Sequence, residues 1–247
     1  MSYRKFYERT VLNSARLLSI PGCVPAVFQN RPNRFLMEAE LAHGETIIAH
    51  VADPGRLEEL LYTDNRVLVV PAPPGTDRKT KWSLAAAEDP TGWILVNTGY
   101  HRRIAEALLW GPHSPLGPAH ELQAEVSAPS GNSRFDFLLN DKIWVEIKGC
   151  TLKSGREALF PDAPTARGLK HVKELTELAL AGMGTAVVFL VFVRDTDRFR
   201  TNRQTDPEFA DALCKAADAG VQTFAVQIEF NEKHLMYTGN LEVICRA

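Results

Sequence analysis

Asp136, Glu146 and Lys148 form the strongest chemical pattern in the sequence. Asp136 lies in the run RFDFLLN, and the other two lie in KIWVEIKGC directly after it. Both runs are typical of strands joined by a tight turn. Because alternate side chains of a strand share a face, Glu146 and Lys148 point the same way. The spacing therefore predicts a polar site on one face of a hairpin.

The length of the turn decides whether Asp136 joins that site. A two-residue loop at Asn140-Asp141 would place Asp136 opposite Val145, whereas a three-residue loop through Lys142 places it opposite Glu146. We predict the three-residue loop.

Two carboxylates brought together in this way repel each other unless a cation lies between them. Oxygen ligands suit Mg²⁺ or Mn²⁺, so we predict one of these ions, contacted by Asp136, Glu146 and Ile147. Lys148 would then orient or help to deprotonate a water that attacks a phosphodiester. The competing interpretation is a half-exposed hairpin whose charged residues make surface ion pairs worth about 0–1 kcal/mol.

Two helices beside the predicted hairpin carry further candidates. Glu106, on a helix before the sheet, is predicted as a third catalytic acid, and the alternative is a solvated glutamate on the helix surface. The helix over about Thr165 to Ala181 presents a polar stripe at i, i+3, i+4 and i+7, which would hold a phosphate backbone. The residues of that stripe are Arg167, Lys170, His171 and Glu174.

The remaining pattern divides the chain into three parts. Residues 1–20 are expected to form a short amphipathic helix or arm, and we place the boundary of this arm at residue 22. Residues 23–97 show short alternating strands and turns, typical of a small β-barrel or sandwich. From residue 98 to 247, strands alternate with helices, which predicts a mixed sheet covered by helices.

Composition limits the classes of function. The chain has 247 residues and a net charge of −2, so any polyanion site must be local. No apolar run approaches the roughly 20 residues that span a bilayer, and no secretory signal is visible, so we expect a cytoplasmic protein without a membrane partner. The four cysteines lie far apart and are expected to be reduced thiols.

Several unusual strings occur in an order that resembles the sugar fermentation stimulation protein (SfsA) family, from about Val27 to the last strand. The chain departs from the family pattern at residues 126–129 and at residues 53–57, where Asp-Pro-Gly-Arg-Leu keeps the glycine of the usual Asn-x-Gly-Ser-Met but changes the residues around it. The matching strings are Asn33-Arg34-Phe35, Asp53-Pro54-Gly55, Arg78 to Trp82, Val96-Asn97-Thr98, Ser133 to Leu138, Val145 to Lys148, Thr151-Leu152, Phe160 to Ala163, Arg167-Gly168 and Lys170-His171.

This resemblance implies an N-terminal OB-fold β-barrel and a C-terminal α/β domain of the restriction-endonuclease-like PD-(D/E)xK fold. Asp136, Glu146 and Lys148 then correspond to the nuclease motif, and Glu106 to the helix-borne acid of related nucleases. An OB barrel binds single strands through cations and aromatics. The predicted nucleic-acid-binding residues are Arg34, Lys79, Lys81 and Trp82 of the barrel, together with Arg167, Lys170 and His171 of the helix stripe.

Two classes of function remain open. The first is a metal-dependent nuclease that hydrolyses DNA or RNA, with DNA the favoured partner. The second is a non-catalytic, non-specific DNA-binding protein that regulates genes of sugar (maltose) metabolism, a role that the resemblance also implies. The intact set of Asp, Glu and Lys favours the nuclease, because a carboxylate cluster repels phosphate in a protein that only binds it. The oligomeric state is left open.

Overall fold

The computed structural model describes residues 15–72, 75, 78–131 and 133–245. Its first part is a closed five-stranded barrel in which each strand pairs with the next and the last returns to the first, in the order β2-β3-β4-β6-β5. This confirms the predicted N-terminal OB-fold barrel. Its strands are β2 (Val24–Asn33), β3 (Leu36–Leu41), β4 (Thr46–His50), β5 (Arg66–Pro71) and β6 (Trp82–Asp89).

Strand β7 (Gly92–Leu95) and a short 3₁₀ turn (Thr98–Tyr100) lead from the barrel into a mixed α/β domain. The predicted mixed α/β character of the second domain is thus also confirmed. The elements of this domain are α1 (His101–Trp110), β8 (Leu122–Ser127), β9 (Arg134–Leu139), β10 (Ile143–Cys150), β11 (Leu152–Ser154), β12 (Glu157–Phe160), α2 (Ala166–Leu180), β13 (Gly184–Val191), β14 (Arg198–Thr201), α3 (Pro207–Asp218), β15 (Gln222–Phe230) and β16 (His234–Ile244).

The main sheet of this domain runs β8-β9-β10-β13-β15-β16, and the β10–β13 and β13–β15 pairs are parallel. Strand β13 is buried from Thr185 onward, as expected for a parallel strand covered on both faces. Helix α2 is capped by Thr165, whose hydroxyl accepts from the Gly168 amide. Helix α3 is capped by Asp206 and has Pro207 in its first turn.

The helices lie on opposite faces of the sheet. The side chain of Glu146 contacts His171 of α2, and α2 contacts α3. A Cβ on Gly149 would instead collide with the His101 ring of α1. Because residues 146 and 149 of one strand point to opposite faces, α2 and α3 cover one face and α1 covers the other.

The N-terminal prediction was wrong for the residues that the structure describes. Residues 15–19 form a strand, β1 (Ala15–Ser19), antiparallel to β16, where a helix or arm was expected. The rest of that prediction, residues 1–14, lies outside the described part of the chain. Leu17 and Leu18 pack against the core, and the long sequence distance to β16 concealed this pairing from a local pattern.

The prediction of reduced thiols was wrong for two of the four cysteines. Cys214 of α3 and Cys245, just after β16, form a disulfide with their Cα atoms 5.3 Å apart. Cys23 and Cys150 are free. The sequence separation of 31 residues carried no pairing signal, because it is the sheet order that brings α3 beside the end of β16.

None of the helices in the described part of the chain has the length and apolar character that crossing a membrane requires.

Specific contacts hold the barrel against the α/β domain. Lys153 of β11 donates to Thr91 in the β6–β7 turn and to the carbonyl of Arg194, both at 3.2 Å, and it pairs with Asp89. Gly92 has a φ of +132°, and a Cβ there would collide with the Arg194 guanidinium. The junction therefore requires glycine at this position and fixes the β6–β7 turn on the second domain.

A second junction brings carboxylates from both domains together. Asp53, which follows β4, and Asp162, which follows β12, both approach Gly55, where an added Cβ would collide with an oxygen of each. Burial raises the pKa of Asp53 to about 6, against the hydrogen bond from the Gly55 amide. The charges of Asp162 and Glu59 also act to raise this pKa, and that of Arg31 acts to lower it.

This junction predicts a pH-dependent stability. A carboxyl whose pKa is raised on folding binds a proton more tightly in the folded state, so its contribution to stability is lost as the pH rises from 3.8 to about 6. Asp53→Asn keeps the oxygen that accepts from Gly55 and removes the charge. We expect the variant to be more stable than wild type at pH 8, on the order of 1 kcal/mol, and about equal near pH 4. Urea unfolding at a series of pH values measures this difference.

Asp64→Asn is the matched control, since Asp64 is an exposed residue of the same barrel with φ 67°, which asparagine tolerates. Its stability should follow the wild-type pH profile. An Asp53→Asn protein with the same pH profile as wild type would contradict the assignment.

Candidate functional site

The hairpin of β9 and β10 positions the central residues. Leu139 pairs with Ile143 and Phe137 with Val145, so residues 140–142 form a three-residue loop. The Lys142 amide closes the loop by donating to the Leu139 carbonyl at 3.0 Å. The predicted three-residue loop is confirmed. One residue beyond the Phe137–Val145 pair, the same register places Asp136 opposite Glu146.

Glu146 is a buried carboxylate with one satisfied and one free oxygen. It is 3% exposed, and its Oε1 accepts from both the Lys148 ammonium and His171 Nδ1. Burial acts to raise the pKa of Glu146, but the hydrogen bond from His171 and the charge of Lys148 outweigh it, so the pKa is lowered. Its Oε2 is buried and has no hydrogen-bond partner. A charged group thus keeps one acceptor open inside the protein.

Asp136 lies beside this group with a different protonation behaviour. Its Oδ2 accepts from the Ile147 amide at 2.7 Å. Burial and the charge of Glu146 raise the pKa of Asp136 to about 6, whereas the Ile147 hydrogen bond and Lys148 act to lower it. The two carboxylates are therefore close enough to disfavour a shared negative charge, as was expected from the sequence.

The backbone of Ile147 adds a further oxygen. In an extended strand the N–H and C=O of one residue point to the same edge, so the Ile147 carbonyl points to the side on which Asp136 lies. Two carboxylates and a carbonyl fit a divalent ion that keeps several waters, as Mg²⁺ does. Within the described ranges, no group of three or more His, Cys, Asp or Glu side chains could hold an ion. A metal here would depend on the carbonyl and on water.

Glu106 is not brought into this cluster. It lies on α1, on the sheet face opposite to that of Glu146, and accepts from Arg102 at 2.9 Å one turn earlier on the same helix. The sequence placed α1 next to the sheet correctly but could not tell which face it covers.

The predicted basic stripe of α2 is split by the fold. Arg167 and Lys170 are exposed, whereas His171 is 4% exposed and bonded to Glu146. Nucleic acid cannot reach His171, so the prediction that it binds nucleic acid needs correction. The burial of Gly168, Val172 and Leu175 explains why, since positions 168, 171, 172 and 175 share one helix face. That spacing was the signal in the sequence for the role of His171.

The predicted barrel residues cluster at one end. The β2–β3 turn carries Arg34 and Phe35, which are exposed, and the Phe35 carbonyl accepts from Val51 just after β4. Strand β4 ends beside the start of β6, where the β5–β6 connection arrives. That connection carries exposed Lys79 and Lys81 and half-buried Trp82. These loops place Arg34, Lys79 and Lys81 at one end of the barrel, where the Phe35 ring is 51% exposed.

Comparison with known proteins agrees with this architecture. Residues 30–96 match the family model described as the SfsA N-terminal OB domain, and residues 99–234 match that of the sugar fermentation stimulation protein RE domain. A homologue from Methanococcoides burtonii is 39% identical over 233 residues, covering 90% of this chain and 93% of the relative. One from Methanothermobacter thermautotrophicus is 42% identical over 213 residues, covering 84% and 87%.

A solved structure is also similar. The structure of Pyrococcus furiosus SfsA in complex with Ca²⁺ superimposes with a TM-score of 0.84 at 26% identity, covering 93% of this chain and 99% of that one. With family models matching both domains and relatives near 40% identity along most of its length, the chain belongs to the sugar fermentation stimulation protein (SfsA) family.

Proposed function

We propose that this protein is a divalent-metal-dependent nuclease that hydrolyses phosphodiester bonds of DNA or RNA, with the restriction-endonuclease-like motif formed by Asp136, Glu146 and Lys148. The observation that carries the proposal is the buried, unpartnered Oε2 of Glu146 beside Asp136. Leaving a buried charged acceptor unsatisfied is costly, and a cation would remove that cost. A purely structural ion pair has no need of the open oxygen.

Mg²⁺ or Mn²⁺ would be held by Asp136, Glu146 and the Ile147 carbonyl, and when bound it would withdraw charge from the scissile phosphate. The similar Pyrococcus furiosus protein was solved as a complex with Ca²⁺, which supports a divalent ion in this family. Asp136, with a pKa of about 6, is mostly ionised at neutral pH and is available as a ligand.

Lys148 would orient the attacking water. Its ammonium donates to Glu146 Oε1, and its side chain is 15% exposed, so it reaches both the carboxylate and the solvent side of the site. A water placed there would receive a hydrogen bond from the ammonium, which would orient its lone pair toward a phosphorus atom. The exposed Arg167 and Lys170, at the start of α2, are proposed to hold the neighbouring phosphates.

Substitution at the site tests catalysis. Glu146→Gln removes the charge that faces the ion, and Lys148→Met removes the donor to the water. We expect each to lower the rate of cleavage by about 100-fold or more. The assay uses end-labelled single- and double-stranded DNA and RNA with Mg²⁺, with Mn²⁺ and with EDTA.

Glu106→Gln serves as the matched control, because it neutralises an acid of the same domain on the other face of the sheet. Its rate should equal that of wild type. Cleavage that persists unchanged in the Glu146 and Lys148 variants, or in EDTA, would show that the activity comes from elsewhere.

Nucleic-acid binding by the barrel is tested separately. Phe35→Ala should weaken binding of single-stranded DNA by about 1–3 kcal/mol, the usual contribution of one stacked base. Tyr62 is equally exposed at 51% but lies before β5, where Asn65 also contacts Glu88 at the far end of β6. Tyr62→Ala should therefore leave the affinity unchanged in a fluorescence anisotropy titration. Equal effects of the two variants would argue against a site at the β2–β3 turn.

A non-catalytic DNA-binding regulator is the second candidate function. The observation that favours it is the shortage of side-chain ligands, since no group of three or more described His, Cys, Asp or Glu residues could hold an ion. The family name, sugar fermentation stimulation, is also that of a physiological effect and not of a reaction. Binding of DNA without cleavage under every metal condition would decide for this candidate.

A further inference from the structure

The hydrogen bond between His171 and Glu146 links α2 to the proposed metal site. Oε1 of Glu146 receives two donors, Lys148 Nζ and His171 Nδ1, while Oε2 receives none. An ionised carboxylate can only accept hydrogen bonds, so the shared proton belongs to His171 Nδ1. His171 therefore determines which of the two oxygens is left open.

The two donors differ in their freedom to move. The His171 side chain is 6% exposed, and its ring packs edge-on against Phe135 with the centroids 5.8 Å apart. Its neighbours Gly168 and Val172 bury the same face of α2. Lys148 is a longer side chain that reaches partly into solvent. Of the two, His171 is the more buried and is packed against an aromatic ring, whereas Lys148 is the longer and more exposed side chain.

We propose that His171 is a positioning residue of the proposed metal site: it holds Oε1 of Glu146, so that Oε2 faces the ion and Lys148 can leave the carboxylate for a water. This inference rests on the proposed function. Without His171, Lys148 would be the sole donor to a buried carboxylate and would be retained there as its counter-ion. The affinity for the ion would then fall, and Lys148 would not be available to donate to a water.

Ion binding tests this role without an activity measurement. His171→Leu removes the donor, and His171→Asn places a neutral N–H near the position of Nδ1. Loss of a group that orients a metal ligand commonly weakens metal affinity about 10- to 100-fold. We expect a loss of that size in His171→Leu and recovery to within about threefold of wild type in His171→Asn. Isothermal titration of the full chain with Mn²⁺, and separately with Ca²⁺, measures the dissociation constants.

Val172→Ala is the matched control for packing, because it trims a buried apolar side chain next to His171, whereas the donors to Glu146 are Lys148 and His171. It should lower the unfolding temperature but leave the Mn²⁺ dissociation constant unchanged. If His171→Leu does not fold, His171→Ala takes its place as the variant without the donor, and its Mn²⁺ dissociation constant is compared with those of His171→Asn and Val172→Ala.

The outcomes separate the two proposals. Wild type that binds neither Mn²⁺ nor Ca²⁺ would overturn the metal-dependent function and this inference with it. Wild type that binds, with His171→Leu binding equally well, would overturn the inference alone. The inference would also fall if Asn and Leu weakened binding to the same extent, because the hydrogen bond would then not be the cause.

Discussion

The site depends on one electrostatic constraint, the presence of an ionised carboxylate inside a sheet. Glu146 lies on a strand paired on both sides and has almost no contact with water. A charge in that position persists only if donors compensate for lost hydration. Lys148 from the same strand and His171 from the covering helix provide that compensation at a single oxygen. The hairpin turn, the face covered by α2 and the burial of His171 all serve this arrangement.

The two faces of the sheet carry different groups of residues. The face under α2 and α3 combines the polar site with an aromatic core in which Phe160, Phe189 and Phe199 pack together. The face under α1 is filled by stacking of His101 on Phe192, where burial lowers the pKa of His101 to about 4 and keeps the ring neutral. A neutral histidine suits that apolar setting. Glu106, on α1, lies in the same domain as Glu146 but on the opposite face of the sheet.

The sequence predicted the features that depend on local pattern. Period-2 alternation predicted the barrel, and the helix expected over about Thr165 to Ala181 is α2 (Ala166–Leu180). Of the two hairpin loops that the sequence left open, the predicted three-residue loop is the one observed, with Phe137 paired to Val145. The features that it missed all depend on long-range contacts. The missed features are strand β1, the disulfide between Cys214 and Cys245, and the face of the sheet that α1 covers, and each depends on residues that are distant in the sequence.

For His171, the sequence identified a residue of the site but not the direction in which its side chain points. A histidine within a run of basic residues resembles a phosphate ligand, and only its position relative to Gly168, Val172 and Leu175 indicated an inward direction. The barrel candidates Arg34, Lys79 and Lys81 are exposed as expected, because charged loop residues rarely lose contact with solvent. Local sequence thus identified the chemical groups more reliably than the direction in which each one points.

The pairing of β1 with β16 has a consequence for how the chain acquires its structure. Ser19 contacts His234 across 215 positions, whereas the barrel closes entirely between residues 24 and 89. Contacts between distant positions form slowly, because a long segment must be ordered first. During synthesis on the ribosome, the barrel can close before β16 has been made, whereas β1 stays unpaired until then. Within the described residues, the first strand thus depends on the last one for its pairing.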